Sequence, residues 1–322
     1  MTVRLIATGG TIASLADPET GAVRPAVSAD DLVATVPGLG ALEVEEVAHV
    51  NGWNMTPATM LEVARRASAG GAGVVVTHGT DTVEETAFFC DLTVASDEPV
   101  VFAAAMRSGS EIAADGPRNL LCAAQVAESP AARGIGTVLV LNDEIHAARW
   151  ARKQDSSRVS AFVSPGHGPI GTVVPGSVRI VMRPPGRFHV PLPDALDRPV
   201  PVVQTYTGME EGLIEAVLNA TDAAGLVLEG TGLGNVPGTA EQGIAAAVAR
   251  GLPVVVATRV PTGGTGAVYG GPGGGVTVRD LGAIGAGALP AAKARLLLML
   301  LLADGGDVRG RFEDAVDTLA GW

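Results

Sequence analysis

Val74-Val75-Val76-Thr77-His78-Gly79-Thr80-Asp81-Thr82-Val83-Glu84-Glu85-Thr86 decides the fold. A β-branched apolar run ends at His-Gly, hydroxyls follow from a glycine-permitted turn, and the pattern then passes into a helix. Near the N-terminus, Val3-Arg4-Leu5-Ile6-Ala7 leads into Thr8-Gly9-Gly10-Thr11-Ile12-Ala13-Ser14 in the same way. Such runs read as strands buried on both faces. Loops leaving the carboxyl ends of parallel strands are where an open α/β sheet takes its ligands. Two threonine-rich loops in that position point to a hydroxyl nucleophile served by a second hydroxyl and by the carboxylate of Asp81.

Outward from these segments, strands are predicted at 3–7, 74–77, 99–103, 137–141, 225–229 and 253–257, with helical patterns between them. One helix runs from Thr56 to Ala69, with Thr56 as N-cap and Pro57 at the first helical position; another runs from Asp115 to Glu128. The alternation predicts an α/β protein of two domains. A larger N-terminal domain with a mostly parallel sheet is expected over 1–182, and a smaller parallel-sheet domain over 201–322. Between them, 183–200 is dense in proline (Arg183-Pro184-Pro185-Gly186, Val190-Pro191-Leu192-Pro193) and suits an extended linker. Residues 262–275 are too rich in glycine for helix or strand.

Composition narrows the classes. Of 322 residues, 47% are hydrophobic and 17% charged, so the chain can bury a large core and disorder is not expected. Aromatics are only 3%, which leaves Val, Leu, Ile and Ala to fill that core. A net charge of -12 argues against a nucleic-acid partner. Cys90 and Cys122 form no disulfide framework and read as buried free thiols in helices. No signal-peptide pattern precedes the first strand, and Leu296–Leu302 falls far short of the ~20 residues of a membrane span. A cytoplasmic protein without membrane association is the expectation.

Each candidate residue also has a plain local reading. Thr11 alone reads first as a turn residue or helix cap, although Gly9 and Gly10 also let backbone N–H groups face a ligand. Asp81 or Thr82 can cap the following helix, and Thr82-Val83-Glu84-Glu85 has capping-box spacing. Thr80 is no base unaided; a lysine could complete a relay. The chain has two lysines against twenty arginines. Lys293 sits in a helical pattern and reads as solvated, whereas Lys153 follows the strand 137–141 and its polar turn. His78 reads as a structural hydrogen-bonding residue. Trp53 reads as core in a chain poor in aromatics, or as a pocket wall, the core being favoured. No metal-ligand spacing occurs and the loop at Thr11 is no G-x-G-x-x-G fingerprint, so neither metal nor cofactor is expected.

Together these segments resemble the bacterial-type L-asparaginases, the asparaginase/glutaminase family. Thr8-Gly9-Gly10-Thr11-Ile12-Ala13 is similar to that family's first active-site motif, and Thr77 to Ala87 to its second. Shorter matches are Ala114-Asp115-Gly116-Pro117, Asn142 to Arg149, Gly232-Leu233-Gly234-Asn235 and Arg259-Val260-Pro261. The resemblance implies hydrolysis of L-asparagine to L-aspartate and ammonia, with weaker glutaminase activity. It implies Thr11 as nucleophile, Thr80 and Lys153 as proton relay, and Asp81 as holder of the substrate ammonium. The expected substrate-binding set is Gly10, Gly52, Trp53, Gly79, Asn235 and Tyr269. The family match also implies that Asn235 serves a neighbouring subunit's site in a homotetramer built as a dimer of dimers. Three departures accompany the likeness. The loop 15–25 has no tyrosine, Gly52 stands where the family carries a serine, and no acid lies between Pro261 and Val278. Tyr269 either replaces the missing tyrosine from the adjoining subunit or packs on its own glycine loop. An ammonia-generating amidotransferase subunit and a non-catalytic amino-acid-binding protein are the alternative readings.

Overall fold

A computed structural model describes residues 2–70 and 72–320; residues 1, 71, 321 and 322 lie outside the described set. The chain divides into two units, Met1–Pro184 and Pro185–Trp322. In the first, the strands are β1 (Arg4–Gly9), β2 (Ser14–Ala16), β3 (Val23–Pro25), β4 (Glu43–Val50), β5 (Val74–Thr77), β6 (Val100–Ala103), β7 (Thr137–Leu141), β8 (Glu144–Ala147), β9 (Arg152–Lys153), β10 (Phe162–Val163), β11 (Gly171–Val174) and β12 (Ser177–Ile180). Its helices are α1 (Ala29–Ala34), α2 (Pro57–Ser68), α3 (Val83–Thr93) and α4 (Gly116–Glu128).

Eight of these strands form one sheet in the order β12-β11-β8-β7-β6-β5-β1-β4. From β4 to β7 all pairs are parallel; β8, β11 and β12 extend the sheet antiparallel. The mostly parallel sheet expected from the sequence is therefore present. Its central strands are buried on both faces, as their unbroken Val and Ile runs require. One face packs α1 and α4 against Leu5, Val75, Val101 and Val138. The other receives α2 and α3, and there Phe88, Phe89 and Phe102 are fully buried, three of only six phenylalanines. Thr56 caps α2 as read, its side chain accepting the Thr59 amide.

β1 lies between β4 and β5, so the chain leaves β1 toward one side of the sheet and later returns to the other. That reversal is the topological switch point, the place where ligands bind in this class of fold. Three strand ends open there: Gly9-Gly10 after β1, Asn51-Gly52 after β4, and His78-Gly79 after β5. β4 is an edge strand, bonded on one side only, and carries Glu43, Glu45 and Glu46. Charges of this kind discourage pairing with a foreign strand.

The second unit holds a four-stranded, all-parallel sheet, β13 (Val202–Gln204), β14 (Leu226–Gly230), β15 (Val254–Thr258) and β16 (Ile284–Gly285), in sequence order. Helices α5 (Leu213–Thr221), α6 (Glu241–Ala249), α7 (Gly275–Asp280), α8 (Ala291–Asp304) and α9 (Val308–Ala320) accompany it. Lys293 corrects its sequence reading: it is fully buried, not solvated. α8 packs against β13, β14 and β15 as well as α9, so even its one lysine is enclosed. Among the described residues no helix is long and apolar enough to cross a membrane. Both cysteines are free and buried. Burial pushes both thiols up, Cys122 to about 12, so neither supplies a nucleophilic thiolate near neutral pH.

A buried ion pair fastens α3 to the far side of the sheet. Asp91 accepts Arg149 Nε at 3.2 Å and the Thr137 amide at 3.1 Å, and both charged side chains are 2% exposed. Removing one partner of such a pair strands the other's charge. Asp91→Ala should therefore lower unfolding free energy by about 3–5 kcal/mol, read as a shift of the urea midpoint. Arg118→Ala, which breaks an exposed pair with Asp143 at 2.8 Å, should cost under about 1 kcal/mol in the same assay.

Candidate active site

The three strand ends meet backbone to backbone. Gly10 has φ 82° and lies so close to the next loop that a Cβ would stand 2.3 Å from Gly79 N. A Cβ on Gly79 would stand 2.6 Å from Gly52 N and 3.4 Å from Gly10 Cα. No side chain fits between these segments, which is why each turn ends in glycine. Hydrogen bonds lace the same ends together, Gly10 N donating to Val50 O at 2.9 Å and Thr8 Oγ1 to Thr77 O at 2.8 Å, while His78 N donates to Ala103 O at the end of β6 at 3.0 Å.

Thr11 opens a 3-10 turn, Thr11–Ala13, directly after Gly10. Two donors converge on the Gly10 carbonyl and set that turn: Ala13 N at 3.0 Å and the buried Ser14 Oγ at 2.7 Å. Thr11 is half-buried at the rim of the contact between the Gly10 and Gly79 loops.

On the Gly79 side, three of the four residues expected to carry chemistry touch one another. Lys153 Nζ donates to Thr80 Oγ1 at 2.9 Å and to Asp81 Oδ1 at 2.7 Å. The amine thus sits between an alcohol and a carboxylate, with its side chain 19% exposed and that of Asp81 45%. Thr80 itself is buried. An amine bonded to an alcohol in this way can exchange a proton with it.

The local capping readings do not hold. Neither Asp81 nor Thr82 caps α3 with its side chain. Thr82 Oγ1 instead donates to Gly52 O at 2.6 Å, adding a side-chain tie to the Gly52–Gly79 contact. Glu84, inside the segment 82–85 but not its capping-box glutamate, reaches across to the main chain of Lys153, accepting its N–H at 2.5 Å. In the spacing Thr82-x-x-Glu the box glutamate is Glu85, and nothing in the local sequence reveals for Glu84 a partner 69 positions away.

His78 has the structural role read for it. Its Nδ1–H donates to Gly79 O at 2.8 Å, which leaves Nε2 to accept from Thr86 Oγ1 at 2.8 Å. Burial pushes its pKa down to about 4, so the ring is neutral and holds the turn before Thr80. Trp53 departs from its favoured reading: it is 65% exposed and no core residue. It sits in the 3-10 turn Gly52–Asn54, where the buried Gly52 makes the contact with Gly79 and the indole faces out. Asn235 and Tyr269 belong to the second unit. Asn235 Oδ1 accepts Gly275 N at 3.0 Å, and Tyr269, 58% exposed, accepts Val276 N at its carbonyl, 2.9 Å away.

Hydroxyls, an amine and a carboxylate at a parallel-sheet switch point are the equipment of a hydrolase, and comparison with known proteins narrows the class. Residues 2–185 match the family described as Asparaginase, N-terminal, and residues 199–310 the Glutaminase/Asparaginase C-terminal domain. The chain is 40% identical over 327 residues to a probable L-asparaginase of Deinococcus radiodurans, covering 97% of each. It is 36% identical over 321 residues to L-asparaginase 2 of Bacillus subtilis, covering 95% of this chain and 83% of that one. A crystal structure of a probable cytoplasmic L-asparaginase from Campylobacter jejuni matches with a TM-score of 0.87 at 31% identity, covering 100% and 99%. The chain belongs to the asparaginase family.

Two outcomes test this site's construction. Gly10→Ala should cost at least about a hundredfold in turnover while the protein remains folded, because a Cβ there meets Gly79 N at 2.3 Å and the loops of Thr11 and Thr80 must part. Folding must also deprotonate His78. Its folded pKa of about 4 lies below the ordinary 6.5, so the unfolded chain binds more protons between those values and stability falls as pH drops through that window. The loss, on the order of 3 kcal/mol, is complete below the folded pKa. Denaturant midpoints between pH 7 and 4 should show it, and His78→Gln should flatten that slope.

Proposed function

We propose that the protein hydrolyses L-asparagine to L-aspartate and ammonia by way of an acyl-enzyme on Thr11. The observation that carries the reading is the Lys153 amine bonded to both Thr80 and Asp81. Thr11 Oγ attacks the side-chain amide carbon, and its proton passes to the Thr80–Lys153 pair. The oxyanion is met by the Thr80 N–H and a water. The same relay returns a proton to the departing nitrogen, ammonia leaves, and an ester remains on Thr11. Water then attacks the ester, its proton again taken by the relay, and aspartate is released with Thr11 restored. Asp81 holds the substrate's α-ammonium by a charge-assisted bond.

Energetics agree with this division of labour. One oxyanion donor is worth about 3 kcal/mol of barrier, and the nucleophile or its base more. Glutamine is a slower substrate in this reading, since one methylene is discriminated by only ~1–3 kcal/mol in a pocket. In this reading the N-terminal domain carries nucleophile and relay, and the C-terminal domain lends Asn235 to a neighbouring subunit in a homotetramer, with Tyr269 either joining it there or packing on its own glycine loop. A cytoplasmic location accords with the description of the Campylobacter jejuni protein.

Thr11→Ala and Lys153→Met should each lower asparagine-dependent ammonia release by more than about a thousandfold, with unchanged circular dichroism. Wild-type rates in either variant would end the proposed mechanism. Mixing inactive Thr11→Ala with inactive Asn235→Ala subunits, after dissociation and reassembly, should restore part of the activity if sites are shared. No recovery in a mixture that reassembles would mean that each subunit is complete by itself.

A further inference from the structure

The stretch from Thr80 to Glu84 grips Lys153 at both ends. Thr80 Oγ1 and Asp81 Oδ1 accept from its amine, and Glu84 Oε2 accepts from its main-chain N–H at 2.5 Å. We propose that Glu84 is a positioning residue for the reaction, fixing the root of Lys153 so that the amine at its tip meets Thr80. The proposal rests on the reading of Lys153 as base.

The main chain around Lys153 needs such a hold. β9 is two residues long and pairs only with the equally short β10, Lys153 opposite Phe162. A pair of that length has little stability of its own. Without an external anchor, the four-carbon stem of lysine would let the amine wander over several ångströms, and a misplacement of ~1 Å can cost a hundredfold in rate. A carboxylate on a backbone N–H makes a charge-assisted hydrogen bond, about twice as strong as a neutral one.

α3 supplies a second hold on the same segment. Glu84 and Asp91 are seven residues apart, two helical turns, and therefore share a face of α3. Asp91 binds Arg149 and Glu84 binds Lys153, so one helix face registers the chain from 149 to 153. The helix that starts immediately after Thr80 and Asp81 thus also fixes their partner.

Three substitutions separate positioning from a purely structural staple. In Glu84→Ala, kcat should fall at least tenfold with KM within about twofold. Glu84→Gln should recover kcat to within about threefold of wild type, because its carboxamide oxygen accepts the same N–H. Glu84→Asp keeps the charge but falls one methylene short, and should resemble the alanine variant in kcat while staying folded even if the alanine variant does not. A readout independent of turnover comes from the scarcity of lysine. Lys293 is fully buried, so acetylation at Lys153, followed by peptide mass spectrometry, reports the freedom of its amine, with Lys293 as internal reference. Its rate should rise severalfold in the folded Glu84→Asp protein. Wild-type kcat and wild-type Lys153 labelling in that variant would overturn the proposal, as would a glutamine variant as slow as Glu84→Asp. Faster labelling in Glu84→Asp, alongside full activity in Lys153→Met, would uphold Glu84 as an anchor of Lys153 but refute Lys153 as the base.

Discussion

Backbone packed directly on backbone, at Gly10, Gly79 and Gly52, is the constraint on which the site depends. Side chains elsewhere in the first unit can exchange volume with their neighbours; here there is none to exchange. The contacts join the ends of β1, β5 and β4, and two of the groups proposed to carry chemistry follow directly from them: Thr11 one residue past Gly10 and Thr80 one residue past Gly79. A parallel sheet with its first strand in the interior brings these ends together by topology alone, and the glycines let them close the last few ångströms.

Around that contact the polar groups are arranged so that each loop is answered by another. Thr8 reaches the β5 end, Gly10 N the β4 end, Thr82 the Gly52 carbonyl, and His78 its own following residue. A neutral, buried histidine suits this place because it can donate at one nitrogen and accept at the other without bringing charge beside the Lys153–Asp81 pair. The charges of the site are left to Lys153, Asp81 and Glu84, all nearer solvent than the fully buried His78.

The fold was readable because its signals are local. β5 and β7 appear where their Val runs lie, β6, β14 and β15 begin one residue later than read, and Thr56-Pro57 announces α2. Family membership was legible from two long motifs, and Lys153 stood out because lysine is so scarce. What escaped depends on distance in space. Glu84 carried no signal because its partner is remote in the chain. Trp53 looked like core because composition speaks of averages, whereas the direction of a single indole on a one-turn helix depends on which neighbour occupies the inner side. Lys293 looked solvated because lysine usually is, but α8 is covered by both the sheet and α9. The antiparallel strands β8, β11 and β12 are short, and nothing in their composition marks them as an extension of the main sheet.

The edge position of β4 has a bearing on how the enzyme fails. A strand tied to the sheet along one side frays more readily than its interior neighbours, and β4 ends in the loop that braces Gly79. Peeling of this border would release Gly52 and loosen the turn at Gly79 while the buried strands stay intact. Inactivation would then run ahead of global melting, and measures that pin the border, rather than further packing of an already dense interior, are the route to a more durable catalyst.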